Sequence, residues 1–536
     1  MPSSAESLHT AALRKLPFVH PDFDAARPAA PILPFWAALV MAAGSGPILS
    51  AGFPDLYLWP LTFVGVGLML WSLIGRRPRA AFLLGFVGGM TFYLVQIFWA
   101  TLFLGPVPMS ALATLESLFY MLGAVAISLV YRWCAVIWTS RISRLVVLPA
   151  VIAGLWTCRE AIASVWPYGG FSWARVGMSQ SQGPLSPLYS WIGISGVTFV
   201  MVFLVALTIE AIRMADVAKV TRIALVATVA ALVVAVPAFP IVTHGTTTIA
   251  GVQGDGPAGY FDPHKYLGEL LNDQYKATEP LFGKKGIDMV VWPEGASDID
   301  PLEDADAAAA FDNVSTQVGA PLLAGAITHR GSKYYNTSLL WEAGRGAVDH
   351  YDKKHPVPFG EYVPNRAFWR FFAPSLIDLI GRDYTPGTTN TVFNVNGVIA
   401  GIDICFDITD DTVMRDSINS GAEVLIAQTN NADFGRTDES VQQLEIARIR
   451  AMELGRSLVN VSTVGTSAVI SPSGKTLTQL KTFVPATMVY TVPLSKTVTP
   501  ATWLGEPIEQ SVSLLGLGGL AVGLVVGRGR RRKLKP

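Results

Sequence analysis

The chain alternates between two kinds of hydrophobic pattern. Long apolar stretches, broken by few charges, lie near 31–50, 56–75, 80–104, 108–131, 145–165, 186–212 and 222–241, and an eighth lies near 511–527. Each approaches the about 20 helical residues needed to cross roughly 30 Å of hydrocarbon. Repetition on this scale predicts transmembrane helices rather than buried core helices or a cleaved signal peptide. The preceding residues 1–30 are polar, rich in Pro and Ala, and carry Arg14, Lys15 and Arg27, as a cytoplasmic tail would.

Residues 242–510 follow a different rule. Short β-rich runs at 247–253, 287–292, 321–328, 336–342, 391–405 and 423–428 are separated by stretches of helical or loop character at 263–282, 302–318, 409–420 and 438–456. This alternation predicts an α/β sandwich domain with a core of its own. No internal repeat is evident in the sequence.

Composition agrees with the pattern. With 51% hydrophobic and 15% charged residues over 536 positions and a mean hydropathy of +0.41, the chain is too apolar for an ordinary soluble protein of its length. The net charge is zero, so its placement carries the information. Arg76, Arg77 and Arg79 follow the second apolar segment, Arg132, Arg141 and Arg144 the fourth, Arg213, Lys219 and Arg222 the sixth, and Arg528 to Lys535 the eighth. By the positive-inside rule both termini are cytoplasmic, residues 528–536 form a basic cytoplasmic tail, and the domain at 242–510 is extracytoplasmic. The basic run directly follows an apolar segment and reads as a stop-transfer anchor, so no nucleic-acid partner is expected. Glu116, Arg159 and Glu160 are exceptions to the apolar character of the spans, too few to suggest a transporter.

Three features of the polar domain carry chemistry. The run Gly401-Ile402-Asp403-Ile404-Cys405-Phe406-Asp407 begins as a strand and ends in a thiol. The other two cysteines, Cys134 and Cys158, lie in or beside apolar segments, leaving Cys405 without an evident disulfide or CxxC partner. A lone cysteine at a strand end is ordinarily a small buried hydrophobe. Two other signatures alter that reading. Val291-Trp292-Pro293-Glu294-Gly295 carries a strand into a carboxylate, and Tyr351 to Glu361 (YDKKHPVPFGE) is a loop stiffened by two prolines. A free thiol, with a pKa of about 8.5, needs a base or a cation to become a nucleophile. A glutamate can take the thiol proton, and a lysine can stabilise a tetrahedral oxyanion. The set points to acyl transfer through a thioester.

The ordered motifs WPE at Glu294, YxKxHxVPFGE from Lys353 to Glu361, and the strand-borne Cys405 resemble the nitrilase, or carbon-nitrogen hydrolase, superfamily with its Glu-Lys-Cys triad. Together with the apolar segments, the VPFGEYVP stretch, GFSW at 170–173, Val252-Gln253-Gly254, Tyr335-Asn336-Thr337 and the helix 447–456, they resemble the apolipoprotein N-acyltransferase family over nearly the whole chain. The resemblance implies eight transmembrane helices and an αββα sandwich, with Glu294 as general base, Lys353 as oxyanion and thiolate stabiliser, Cys405 as nucleophile and Glu361 in support. Phe406 and Asp407 flank the nucleophile. Asn336, Asp433, Trp173 and Trp369 are further positions expected to meet substrate. The implied reaction is ping-pong: an acyl chain passes from the sn-1 ester of a phospholipid to Cys405, and then to the α-amino group of the diacylglyceryl-cysteine of an apolipoprotein. The implied setting is a bacterial plasma membrane, with a monomeric enzyme and neither cofactor nor metal. Asn365 to Phe372, aromatic and cationic, suits a bilayer interface or a cover over a lipid cleft.

Three departures bear on substrate rather than chemistry. The family's Cys-Tyr-Glu is here Cys405-Phe406-Asp407, its Asn-Asp-Ala-Trp-Phe-Gly is Asn430-Asn431-Ala432-Asp433-Phe434-Gly435, and its Gln-Gly-Asn is Gln253-Gly254-Asp255. A membrane-anchored amidase that passes its acyl group to water, and a scaffold that binds a membrane partner, remain the alternatives.

Overall fold

The computed structural model describes residues 29–138, 140–214 and 217–533. Most of the expected N-terminal tail, 1–28, and the end of the basic tail, 534–536, lie outside the described residues. The chain forms two compact units. One consists of the helical regions up to Pro237 together with the chain from Trp503 onward, and the other of Leu102–Leu104 and Ala238–Thr502.

The first unit is helical: α1 (Phe35–Ser50), α2 (Trp59–Leu73), α3 (Pro78–Gln96), α4 (Pro106–Ile137), α5 (Leu148–Ala163), α6 (Tyr189–Arg213), α7 (Lys219–Val234) and most of a C-terminal helix, Pro500–Lys533. Each of the eight apolar segments falls on one of these helices. Among the described residues, five helical stretches are long and apolar enough to cross a membrane: Pro78–Gln96, Pro106–Trp133, Ser143–Ala163, Ser186–Arg213 and Pro500–Val526. Helices α1, α2 and α7 have 16, 15 and 16 residues, about 22–24 Å at 1.5 Å per residue. The segment expected at 222–241 stops being helical at Val234, shortly before Pro237 and Pro240, which lack the N–H a helix needs.

Glycines set the closest helix crossings of this unit. A Cβ on Gly154 would lie 2.3 Å from the Val512 carbonyl oxygen, and one on Gly516 would lie 2.5 Å from the Gly154 carbonyl carbon. Where helices lack a hydrophobic drive to associate, such backbone approach supplies the packing. Two buried carboxylates of this unit are paired. Glu160 accepts from Trp156 Nε1 at 2.9 Å, Arg159 at 3.0 Å, the Val176 amide at 3.2 Å and Thr198 Oγ1 at 3.1 Å. Glu210 sits between Arg144 and Arg213.

The second unit contains two six-stranded sheets. One has the order β12-β1-β2-β3-β4-β5, from β1 (Thr243–Gln253), β2 (Met289–Val291), β3 (Leu322–Arg330), β4 (Lys333–Glu342), β5 (Gly346–Asp352) and β12 (Ala486–Ser495). The other has the order β11-β10-β9-β8-β7-β6, from β6 (Val392–Val395), β7 (Val398–Ile404), β8 (Val424–Thr429), β9 (Ser457–Ser462), β10 (Ala468–Ile470) and β11 (Thr476–Gln479). The helices are α8 (Glu269–Thr278), α9 (Ala305–Val318), α10 (Arg366–Phe372), α11 (Asp411–Asn419) and α12 (Glu439–Leu454).

Alternation along the strands builds the sandwich. Met289 and Val291 of β2 and Ala400, Ile402 and Ile404 of β7 enter one buried cluster to which both sheets contribute. Ala250, Val252, Val290 and Trp292 point the other way, into a second cluster with Phe311 and Val314 of α9. The two sheets repeat one topology that the sequence does not reveal. In each, three parallel strands (β1, β2, β3 or β7, β8, β9) continue into an antiparallel pair.

Several sequence expectations are refined. The run 391–405 is a hairpin, its strands joined at Asn396-Gly397, both with positive φ (54° and 90°), as a tight two-residue turn requires. β5 and β9 to β12 were not anticipated, and the stretch at 263–282 is α-helical only over Glu269–Thr278. Leu102–Leu104, between α3 and α4 in the chain, belongs to the second unit, where Phe103 stacks edge-on against Tyr260 at 6.0 Å.

Replacing Gly516 with Val is expected to overpack the crossing with α5 and cost about 1–3 kcal/mol, read as a lower melting temperature in detergent. Gly518→Ala, where an added Cβ meets nothing within 4 Å, is expected to leave it unchanged.

Candidate active site

Glu294 is presented by a stretch of backbone that cannot move easily. Trp292, at the end of β2, is fully buried; its Nε1 donates to Thr278 Oγ1 at 3.0 Å and its ring meets Phe311 edge-on at 5.2 Å. Gln428 of β8 donates to the Trp292 carbonyl at 2.6 Å, Pro293 restricts the next step, and Gly295 turns the chain at a φ of 57°. Behind it, Gly325 of β3 leaves room for the loop: a Cβ there would stand 2.2 Å from the Pro293 carbonyl oxygen.

Lys353 directly follows β5, and its backbone amide donates to the Asn336 carbonyl at 2.8 Å. The side chain is buried, and Nζ lies 3.1 Å from Glu294 Oε1 and 2.9 Å from Glu361 Oε2. Asn336 Nδ2 bridges the two carboxylates, donating to Glu294 Oε1 at 2.7 Å and to Glu361 Oε1 at 2.9 Å. Glu361 also accepts from the Val357 amide at 2.6 Å, which folds the proline-containing loop back over the lysine. Glu294 Oε1 is thus occupied twice. Its Oε2, also buried, has no hydrogen-bond partner among the described residues.

Cys405 ends β7 with a φ of 52°, a conformation that costs a non-glycine residue energy and is held only by its surroundings. Those surroundings are specific. Residues Cys405–Thr409 form one 3₁₀ turn. Arg450 of α12, itself buried, donates to the Ile408 carbonyl at 2.9 Å, the Thr409 carbonyl at 2.9 Å, Asp411 at 2.6 Å and Glu453 at 2.6 Å. From the same turn the fully buried Asp407 accepts from the Tyr351 hydroxyl at 2.6 Å, the His355 amide at 2.8 Å and the Lys354 amide at 3.2 Å. One carboxylate therefore latches the cysteine turn to the lysine loop. The half-buried thiol receives a hydrogen bond from Gln443 Nε2 at 3.5 Å.

The electrostatics follow from burial and proximity. Burial pushes Glu294 up and the Glu361 charge adds to this, while Lys353 opposes it. Burial pulls Lys353 down, but Glu294, Glu361 and Cys405 outweigh it and keep the ammonium well above its usual range. Burial and then Glu294 raise the Cys405 thiol, and Lys353 only partly offsets them. Burial and the neighbouring carboxylates thus favour the protonated thiol, and the Lys353 ammonium acts against them.

The structure thus brings Glu294, Lys353, Glu361, Asn336, Cys405 and Asp407 into one bonded and electrostatically coupled group. Phe406 is half-buried in the cysteine turn. Asp433 accepts from the Tyr260 amide at 2.7 Å, and burial, Asp262 and Glu294 push its carboxyl up to about 6. Trp369 of α10 packs edge-on against Phe359 at 5.4 Å, within the cluster of Val363, Ile377 and Ile380. Trp173 lies in the first unit, stacked on Phe171 at 6.2 Å. The sequence does not mark Gln443 or Arg450 as site residues: Gln443 lies in the helical stretch at 438–456 and Arg450 within the motif helix 447–456, with no role attached to either. Among the described residues no group of three His, Cys, Asp or Glu stands as a metal site.

Asp407→Asn is expected to break the latch, costing about 1–3 kcal/mol by opposing buried donors to an amide N–H, and Tyr351→Phe about 1 kcal/mol. Thermal unfolding of the purified variants checks both.

Comparison with known proteins extends the reading to the whole chain. The profile of the apolipoprotein N-acyltransferase N-terminal domain matches residues 45–207, and that of carbon-nitrogen hydrolase matches 249–499. The apolipoprotein N-acyltransferase of Mycolicibacterium smegmatis is 32% identical, covering 91% of this chain and 85% of its own. That of Shewanella oneidensis is 28% identical, covering 92% and 96%. A solved amidase of the nitrilase superfamily from Nesterenkonia is 16% identical, covering 50% of this chain and 95% of its own, with a TM-score of 0.36. By its similarity to the mycobacterial relative over 91% of its length, and by the two domain matches, the chain belongs to the apolipoprotein N-acyltransferase family.

Proposed function

We propose that the protein transfers a fatty acyl chain from the sn-1 ester of a membrane phospholipid to the α-amino group of the diacylglyceryl-cysteine of apolipoproteins, through a thioester on Cys405. The observation that carries the mechanism is the division of labour within Glu294. Oε1 is held by Lys353 and Asn336, Oε2 is left without a hydrogen-bond partner among the described residues, and the Glu294 charge acts on a thiol whose proton burial favours.

In the first half-reaction Glu294 Oε2 takes the Sγ proton as sulfur attacks the ester carbonyl carbon. The new C–S bond leaves a tetrahedral oxyanion, to which the Lys353 ammonium donates. Collapse breaks the C–O bond, and the departing lysophospholipid oxygen receives the proton from Glu294. In the second half-reaction the α-amino group attacks the thioester carbonyl and gives its proton to Glu294. The C–S bond breaks, an amide remains, and the proton returns to sulfur. Glu361, bonded to both Lys353 and Asn336, holds the ion pair in register. Asp407 holds the turn that contains Phe406, Asn336 bridges the two carboxylates instead of meeting substrate, and Asp433, Trp173 and Trp369 stand as the substrate-facing positions of this reading.

The apolar helices and the basic segments after every second one support eight spans, cytoplasmic termini and an extracytoplasmic α/β domain between residues 242 and 510. In that setting the thiol serves lipid-tailed substrates of the outer leaflet of a bacterial plasma membrane. The reading is of a monomeric enzyme, and none of the steps calls for a cofactor.

Incubating the purified protein with phosphatidylethanolamine and no acceptor is expected to add one fatty-acyl mass in intact-mass spectrometry. The adduct should be absent from Cys405→Ala and discharged by a diacylated lipopeptide. Discharge by water alone at the same rate would favour the amidase alternative, and no adduct with folded protein would favour the scaffold. Lys353→Met is expected to slow adduct formation about 10²–10³-fold, as loss of an oxyanion donor does.

The pH dependence has a defined sign. Glu294 must be ionised to accept a proton, and burial raises its pKa. The acid limb of thioester formation is therefore expected above the ordinary glutamate value of about 4.3, with activity falling as pH drops through it. Single-turnover rates across pH measure that limb, and Glu294→Gln should abolish it together with about 10²–10⁴ of the rate.

A further inference from the structure

Two neighbouring strand ends of the second sheet and one helix supply a chain of side chains that ends at the Cys405 sulfur. Asn431 follows β8, Ser462 ends β9, and Gln443 projects from α12, whose N-terminal residue is Glu439. All four side chains are buried. Burial pushes the Glu439 carboxyl up to about 8, and with that carboxyl ionised their hydrogen bonds run in one direction.

The Ser462 hydroxyl accepts from the Gly465 amide at 3.0 Å and so turns its own proton to Asn431 Oδ1, at 2.6 Å. With Oδ1 satisfied, both N–H groups of Asn431 face away from Ser462. They donate to Gln443 Oε1 at 2.7 Å and to Glu439 Oε2 at 2.8 Å. A glutamine whose oxygen is held must present its nitrogen on the other side, and there Nε2 meets Cys405 Sγ at 3.5 Å. The backing is tight: a Cβ on Gly465 would lie 2.2 Å from Asn431 Oδ1.

We infer that Gln443 is a catalytic residue that donates a hydrogen bond to the Cys405 sulfur, stabilising it as the thiolate, and that Ser462, Asn431 and Glu439 are positioning residues that fix the orientation of the Gln443 amide. This rests on Cys405 being the nucleophile of the proposed function. Its chemical logic is that a donor strengthens as sulfur gains negative charge, on attack and again when the thioester is cleaved. Lys353 is already engaged by two carboxylates. The other charged groups acting on the thiol, Glu294, Glu439 and Glu361, all disfavour the thiolate. Gln443 supplies a neutral donor on the sulfur itself, and its amide cannot be titrated away.

The test is the pH dependence of Cys405 alkylation by iodoacetamide in the full-length protein in detergent. It is followed on the Cys405 peptide by mass spectrometry, so that Cys134 and Cys158 do not contribute. Gln443→Leu is expected to move the thiolate limb up by about one pH unit, the effect of losing a hydrogen bond to the charged form. Gln443→Glu, which replaces the donor with an acceptor, should move it further. Ser462→Ala, which leaves Gln443 in place but frees the Asn431 amide to turn, should shift it in the same direction by less. A limb unchanged in folded Gln443→Leu overturns the assignment; should that variant not fold, an unchanged limb in Ser462→Ala does so. Alkylation needs no phospholipid, so a shifted limb in a protein that forms no acyl adduct would keep the Gln443 contact and discard the acyl-transfer reading.

Discussion

A lysine ammonium sealed between two carboxylates is the constraint around which the α/β unit is built. Lys353 is 1% exposed and Glu294 6%. Removing such charges from water costs several kcal/mol per ion, repaid only when geometry and hydrogen bonds are near ideal. Each neighbouring feature serves that geometry. Asn336 spans the two carboxylates, the Val357 amide satisfies Glu361, and Trp292 and Gln428 immobilise the strand end that carries Glu294. Pairing Glu294 through one oxygen alone leaves the other available to a proton, so the cluster is both a structural knot and a poised base.

The duplicated topology explains how residues so far apart in the chain meet. Glu294 follows β2, Lys353 follows β5 and Cys405 follows β7, so that two sheets facing across one apolar core carry all three on loops at strand ends. The apolar core sets the separation of the sheets, and Asp407 spans it at the polar end. It does so with a carboxylate that takes three donors from the first sheet's lysine loop while lying two residues from the nucleophile.

What the sequence made legible follows from the range of the physics involved. Apolar length and basic flanks are local, so eight helical segments were readable, and α7 fell short only because prolines at 237 and 240 cut its helix early. The alternation of Ala400, Ile402 and Ile404 was equally local and delivered them to the core. The Asn396-Gly397 turn was present as a signal, yet the flanking apolar run concealed it. Strands β9 to β12 were missed because they sit within a polar, Ser/Thr-rich stretch where pairing partners, not periodicity, make the strand. At the site, Asp407 reads in sequence as a shortened acid, whereas its importance lies in what it accepts. Gln443 has no sequence signature at all, because its role depends on Ser462 and Asn431 arriving from other strands.

The thiol's environment bears on how such a nucleophile is kept. Low-pKa, accessible cysteines are the ones oxidised or alkylated adventitiously. Cys405 is surrounded by buried carboxylates that raise its pKa, so the resting group is the unreactive thiol. In the acyl transfer proposed above, reactivity is created during the attack, when the proton passes to Glu294 and the charge spreads onto the acyl oxygen near Lys353. The negative charge of the site is thus conserved: it moves from carboxylate to sulfur to oxyanion without being added to the buried cluster. On the proposed mechanism such a thiol keeps its proton through most of its resting life and gives it up chiefly when an acyl carbonyl is there to receive the sulfur's electrons.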